Sequence, residues 1–206
     1  MQIRLNVIKA AQCCAAVKDI RHYLNGVMIE FNGVDAVPLD LSATICGTDG
    51  HTLFAGKTVI RCEDGETQPE AGTQIIIPSD AVKAAKQINK NNPFVTLRQI
   101  SADTWQLADT IFKPIDGKFP DYRRVIPSPE SVASTAQEVT YLDPELLLQA
   151  QAALRLYAAA RATKRTLFPL AQRGNAASIM HDNAGQALVV IMPYKNDAGN
   201  YRGLAA

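Results

Sequence analysis

Apolar positions in this chain form short alternating or unbroken runs, interrupted by three stretches where they recur every three or four residues. The first unit opens with the strand-like Gln2-Ile3-Arg4-Leu5, followed by Asn6 as a helix N-cap. Val7, Ile8, Ala10, Ala11, Cys14, Ala15 and Val17 then fall on one helix face. Strands are predicted at Val27–Phe31, Ala43–Cys46 and Leu53–Cys62, with Asn32-Gly33 as a turn. The second unit begins with the β-branched run Thr73–Ile77. Pro78-Ser79-Asp80 starts its helix, with Ser79 as the cap, and Asn91-Asn92-Pro93 ends it. Strands at Phe94–Ile100 and Thr104–Phe112 complete this unit.

Asp116–Pro127 has neither period, yet holds two aromatics, prolines and paired arginines, so it reads as a shaped surface connector. Residues 128–137, rich in Ser, Pro and Ala, read as a linker. The third unit starts with the strand Glu138–Leu142 and the helix signal Asp143-Pro144-Glu145: a cap, a proline at the first position, an early acid. Three strand-like runs follow, near Leu167–Leu170, Ser178–His181 and Leu188–Met192, and residues 196–206 read as a flexible tail. The three units share one grammar, which predicts an α+β fold of strand–helix–strands repeats with helices on one face of antiparallel sheets. Such a unit leaves apolar sheet surface uncovered, so units pair. The first two form a natural pair and the third has no partner, which predicts association with another copy.

Composition narrows the class without naming a function. Hydrophobic residues make up 47% and charged residues 20% of the 206 residues, the balance of an ordinary globular protein. The net charge of +1 gives no global argument for nucleic acid, but the local field matters more than the sum. Cys13, Cys14, Cys46 and Cys62 form no C-x-x-C pair and read as reduced thiols. No apolar signal core opens the chain, and no run approaches the roughly 18 apolar residues of a membrane span. A cytoplasmic protein is expected.

Candidate chemistry is sparse. Asp49 and His51 are too few ligands for zinc, and a tight turn at Gly50 explains them more simply. The chain shows no nucleophile–base pair, phosphate-cradling glycine loop or metal-ligand cluster, so no catalytic residue and no cofactor is assigned. Lys83, Lys86 and Lys90 recur at helical spacing in the second helix. The first helix segment adds Lys9 and Lys18, and the third Arg155, Arg161, Lys164 and Arg165. Such a face is either simply solvated or attracts phosphates without reading bases.

Four blocks, in order, give these patterns a family likeness: Lys18–Gly26, Thr48-Asp49-Gly50-His51, Ile76-Ile77-Pro78 and Ile115–Pro127. Residues 1–127 resemble the middle domain of the bacterial DNA polymerase III sliding clamp, the β processivity subunit. Residues 138–195, ending in Val189–Tyr194, resemble half of that family's last domain. The resemblance implies clamp units with helices inside and sheets outside a ring around double-stranded DNA, contacted without sequence preference. It adds Arg21, His22 and Tyr23 to the DNA-facing cations above, although Tyr23 fits a place in the core beside Leu24 equally well. It also implies a peptide-binding pocket of Leu24, Thr48, Gly50, His51, Leu53, Pro120, Arg124, Val125, Val190, Met192, Pro193 and Tyr194. Thr52, where the family usually has arginine, and the tail beyond Lys195 depart from the family pattern. The function implied is a homo-oligomeric clamp that tethers a DNA polymerase or other partner. The alternative is a non-ring adaptor or competitor that binds clamp partners, or a full-length clamp, without encircling DNA.

Overall fold

The computed structural model describes residues 1–34, 40–63, 65–87, 92–127, 142–158, 168, 170–171 and 177–193. The predicted linker 128–137, strand residues 138–141 and tail 196–206 lie outside them. The described strands are β1 Gln2–Arg4, β2 Gly26–Val34, β3 Asp40–Thr48, β4 Thr52–Arg61, β5 Gln74–Pro78, β6 Phe94–Ser101, β7 Thr104–Leu107, β8 Thr110–Phe112, β9 Leu170–Ala171, β10 Ser178–His181 and β11 Ala187–Ile191. The helices are α1 Leu5–Cys13, α2 Ser79–Ala84 and α3 Pro144–Ala158.

All pairings are antiparallel, in the order β5-β2-β3-β4-β1-β6-β7-β8, and β9-β10-β11 joins through a β11–β4 ladder. One side of the sheet carries the helices. Val27, Ile29, Phe31, Ile45, Phe54 and Val189 point there and pack with Ile8, Val82 and Leu154. The alternate residues Met28, Cys46, Leu53, Ala55 and Val190 point the other way and pack under Phe119 and Tyr122 of the connector. This two-sided cover explains why Val27–Phe31 of β2 is apolar at every position but Glu30 instead of alternating: both faces of the strand are buried there.

The third unit has its partner inside the chain, which corrects the expectation that it stands alone. Leu53↔Val190 and Ala55↔Leu188 are register pairs of the β4–β11 ladder. α3 lies antiparallel against α1: Gln149 Nε2 donates to Cys13 O at 2.6 Å, and Asn6 Nδ2 donates to Leu156 O at 3.0 Å and Tyr157 O at 3.2 Å. The Phe54 and Tyr157 rings close the joint, their centroids 6.0 Å apart. A strand's period shows which face it buries but not which edge it joins, so this docking was invisible in sequence.

Local readings shift for stated reasons. Asn6 is not the cap of α1; it sits in the first turn, and its amide serves the α3 carbonyls. Ser79 is the first residue of α2, with Pro78 in the cap position. The Asn32-Gly33 turn is instead a bulge within β2, where Gly33 takes φ +99°. α2 stops at Ala84 because the extended Ala85 turns into the core, fully buried. Its six residues stand by packing, as so short a helix must. The predicted strand Thr104–Phe112 is two strands, reversed at Ala108, whose φ is +55°. Asp143 caps α3 as expected, accepting from Glu145 N at 2.8 Å. Among the described residues no helix is long and apolar enough to cross a membrane.

Candidate functional site

The residues of the β3–β4 turn fix one another before they meet anything else. Asp49 Oδ1 accepts from His51 N at 2.8 Å and from Thr52 N at 2.7 Å. Thr48 Oγ1 donates to Thr52 O at 2.6 Å and accepts from Gly50 N at 3.1 Å. Gly50 holds φ +95°, the left-handed region that glycine enters without strain. Through Oδ1 the Asp49 carboxylate shapes the turn, as the tight-turn reading of the sequence expects. The end of β11 then reaches this turn, with Met192 N donating to His51 O at 2.9 Å.

The connector forms the opposite wall. Asp121 caps a short 3-10 turn at Tyr122–Arg124, which presents Tyr122 inward and leaves Arg123 and Arg124 toward solvent. Beneath it lies Glu30 of β2, only 7% exposed. Glu30 accepts from Tyr122 Oη at 2.8 Å, from Gln74 Nε2 at 3.2 Å and from both terminal nitrogens of Arg123. Burial pushes its carboxyl up, but these bonds outweigh burial and hold it below the ordinary glutamate value. Burial, and then donation to Glu30, push the Tyr122 phenol up.

Between turn, connector and β11 lies a cavity of about 210 Å³, lined by Arg21, Leu24, Thr48, Gly50, His51, Thr52, Leu53, Phe119, Pro120, Asp121, Tyr122, Val125, Val190 and Met192. Val125 and Met192 remain 45% and 43% exposed on its rim. Such a mouth, mostly apolar with a few fixed polar groups, is the chemistry of a capture site for an apolar side chain.

No family model matches the chain. Over 125 residues, 59% of this chain, it is 33% identical to the β sliding clamp of Haemophilus influenzae and 31% identical to that of Escherichia coli K12. That stretch is 31% of each relative, so the match spans under a third of their length. By fold, 95% of the chain superimposes on 66% of a Pseudomonas aeruginosa DNA polymerase sliding clamp, with a TM-score of 0.63 at 16% identity. It likewise superimposes on 65% of the Thermotoga maritima DNA polymerase III β subunit, with a TM-score of 0.66 at 14% identity. Over those 125 residues the chain is similar to bacterial β sliding clamps, and its fold is that of the DNA polymerase clamp structures.

Against that clamp-type frame, nine of the pocket residues expected from sequence meet at one cavity: Leu24, Thr48, Gly50, His51, Leu53, Pro120, Val125, Val190 and Met192. Arg124 is not among the lining residues, although its Nε lies 3.5 Å from Oδ2 of Asp121, which is, and Pro193 lies just past the lining. Tyr194 falls outside the described residues. Sequence reasoning missed Phe119, Asp121 and Tyr122, although all three belong to the connector it singled out. Thr52, noted in the sequence only as a departure from the family pattern, also lines the cavity, 1% exposed and fixed by Asp49.

The expected DNA-facing residues are dispersed. Lys9, Lys83 and Arg155 belong to the helix layer, whereas Lys86 lies beyond the end of α2 and Lys90, Arg161, Lys164 and Arg165 fall outside the described residues. Lys18 and His22 are exposed in the loop after α1. Tyr23 is half-buried against the outer cluster, beside Gly117. Arg21 joins the cavity lining, bound to Asp19 at 2.7 Å. Hydrogen bonds from the Arg21 guanidinium and backbone hold the Asp19 carboxyl down at about 2.

Proposed function

We propose that this chain is a sliding-clamp-like protein that captures extended peptides of replication partners and tethers them beside double-stranded DNA, a binding role without a catalytic one. The observation that carries this is the cavity at the seam of the first and third units. It exists because β11 extends the sheet past β4 while the connector is pinned over the outer face. Four separate stretches of sequence build one mostly apolar mouth, which suits a partner segment anchored by Leu or Phe side chains. Tethering through such a mouth raises a partner's local concentration without needing high affinity. The matching relatives are named as sliding clamps and the superimposable structures as DNA polymerase clamps and β subunits, which supports the same reading. In the relatives' cellular setting the chain is cytoplasmic and works as a homo-oligomer. Residues 1–127 act as a middle-domain-like pair and 138–195 as a further half-domain, joined by the linker 128–137.

The test is binding of a fluorescent peptide of Gln-x-x-Leu-Phe pattern. The parent chain binds it, and Leu24→Arg with Met192→Arg abolishes binding; equal binding by parent and variant would remove the pocket assignment.

One observation favours the adaptor reading, in which partners are captured without encircled DNA. Lys83 pairs with Asp80 at 3.8 Å and Arg21 with Asp19, so two of the expected phosphate-binding cations already have acidic neighbours. Duplex binding that weakens steeply with salt supports the clamp reading, and its absence supports the adaptor.

A further inference from the structure

The β4–β11 seam carries a second cavity, of about 360 Å³, further along the same outer face. Its floor follows from the ladder. Leu53, Ala55 and Lys57 alternate to the outer face of β4, opposite Val190, Leu188 and Gln186. The first cavity holds Leu53 and Val190, the second holds Ala55, Lys57, Gln186 and Leu188, and Tyr122 lines both. The two are therefore the ends of one trough, walled by the connector and becoming more polar along its length.

The far end is positively charged. Lys57 and Arg123 line it with no carboxylate among the lining residues. Arg123 is pinned by Glu30, but no acidic side chain pairs with Lys57 among the described residues, and its side chain is open to solvent. Lys57 lies four residue steps along β4 from Leu53, about 13 Å at ~3.3 Å per residue of extended chain.

Resting on the pocket reading above, we infer that the partner segment continues past its apolar anchor along this trough and places an acidic side chain on Lys57, about four residues from the anchor. Charge complementarity selects this occupant, since an apolar continuation would strand the ammonium group beside a greasy surface and a basic one would be repelled. Lys57 thus sets partner specificity without taking part in anchor capture.

The experiment measures affinity at low salt for three synthetic peptides. One is the Gln-x-x-Leu-Phe anchor alone, and the others carry two aspartates or two lysines about four residues from the Leu-Phe pair, on either side. The aspartate peptide binds about three- to fivefold tighter than the anchor, the size expected of one solvent-screened ion pair, and the gain disappears at high salt. Lys57→Glu removes the gain and leaves the anchor peptide's affinity unchanged. If the anchor binds and aspartates add nothing, or Lys57→Glu weakens both peptides alike, the trough assignment is overturned while the pocket stands. If no peptide binds, the pocket reading fails and the trough fails with it.

Discussion

A single buried carboxylate organises the wall on which the candidate site depends. Glu30 holds Tyr122 and Arg123 at once, so the connector is fixed by charge-assisted bonds where its own sequence offers no regular structure. Glu30→Gln keeps the shape but leaves Arg123 without its counter-charge, and is expected to cost about 1–3 kcal/mol in urea unfolding at neutral pH. The sign with pH follows from the lowered carboxyl. Its contribution is present above the unfolded glutamate value, about 4.3, and is lost as pH falls through the lower folded value. The gap between parent and variant stability therefore closes on acidification; a gap that stays constant would show that charge is not what Glu30 supplies. Asp19, held down at about 2 by Arg21, has the same sign, with its contribution fading only in stronger acid. At this scale sequence shows which side chains carry charge but not whom they face. Arg21 looked free to meet phosphate, yet Asp19, two residues away, claims it.

Elements were legible where one physical pattern dominated. β5 and β11 declare themselves by unbroken apolar runs, and α3 by its cap and proline, because burial and capping act within a few residues. α2 was overread, since lysines at helical spacing continue past the point where Ala85 must turn inward. The unpaired third unit was a misreading of a different kind, because edge choice depends on residues far away in sequence. Close approach between elements is equally hidden, and Gly47 shows why. It faces α1 from β3, and a Cβ there would lie 2.0 Å from Ala11 O and 2.8 Å from the Ala11 carbonyl carbon. Backbone cannot yield as a flexible side chain can, so Gly47→Ala should destabilise by about 3 kcal/mol or more, driving α1 off the sheet. Gly72 is the contrast: nothing lies within 4 Å of its would-be Cβ, and only φ +86° opposes substitution. Gly72→Ala should cost about 1 kcal/mol. Chemical denaturation of both variants ranks them, and equal losses would mean that backbone conformation, not the α1 contact, sets the value of Gly47.

At the scale of the molecule, the question is whether the third unit is an appendage or part of one cooperative body. Its helix buries Ala150, Ala153 and Leu154 completely, in the same cluster as residues of the first and second units. Trp105, the chain's single tryptophan, sits at the other end of that cluster, in β7, stacked on Phe31 with centroids 6.5 Å apart. A continuous core joins the two, and cores of this kind unfold as units. Leu154→Ala removes fully buried atoms and should cost about 2–5 kcal/mol. If the body is one, Trp105 fluorescence and far-ultraviolet circular dichroism report a single coincident urea transition, and Leu154→Ala shifts both to lower denaturant by the same amount. The candidate cavity would then persist as long as the fold does, because its β11 wall cannot leave β4 without opening the core. If Leu154→Ala moves the dichroism while Trp105 stays at its parental midpoint, the third unit detaches on its own. Capture by the seam would then be a property of a docked state that comes and goes.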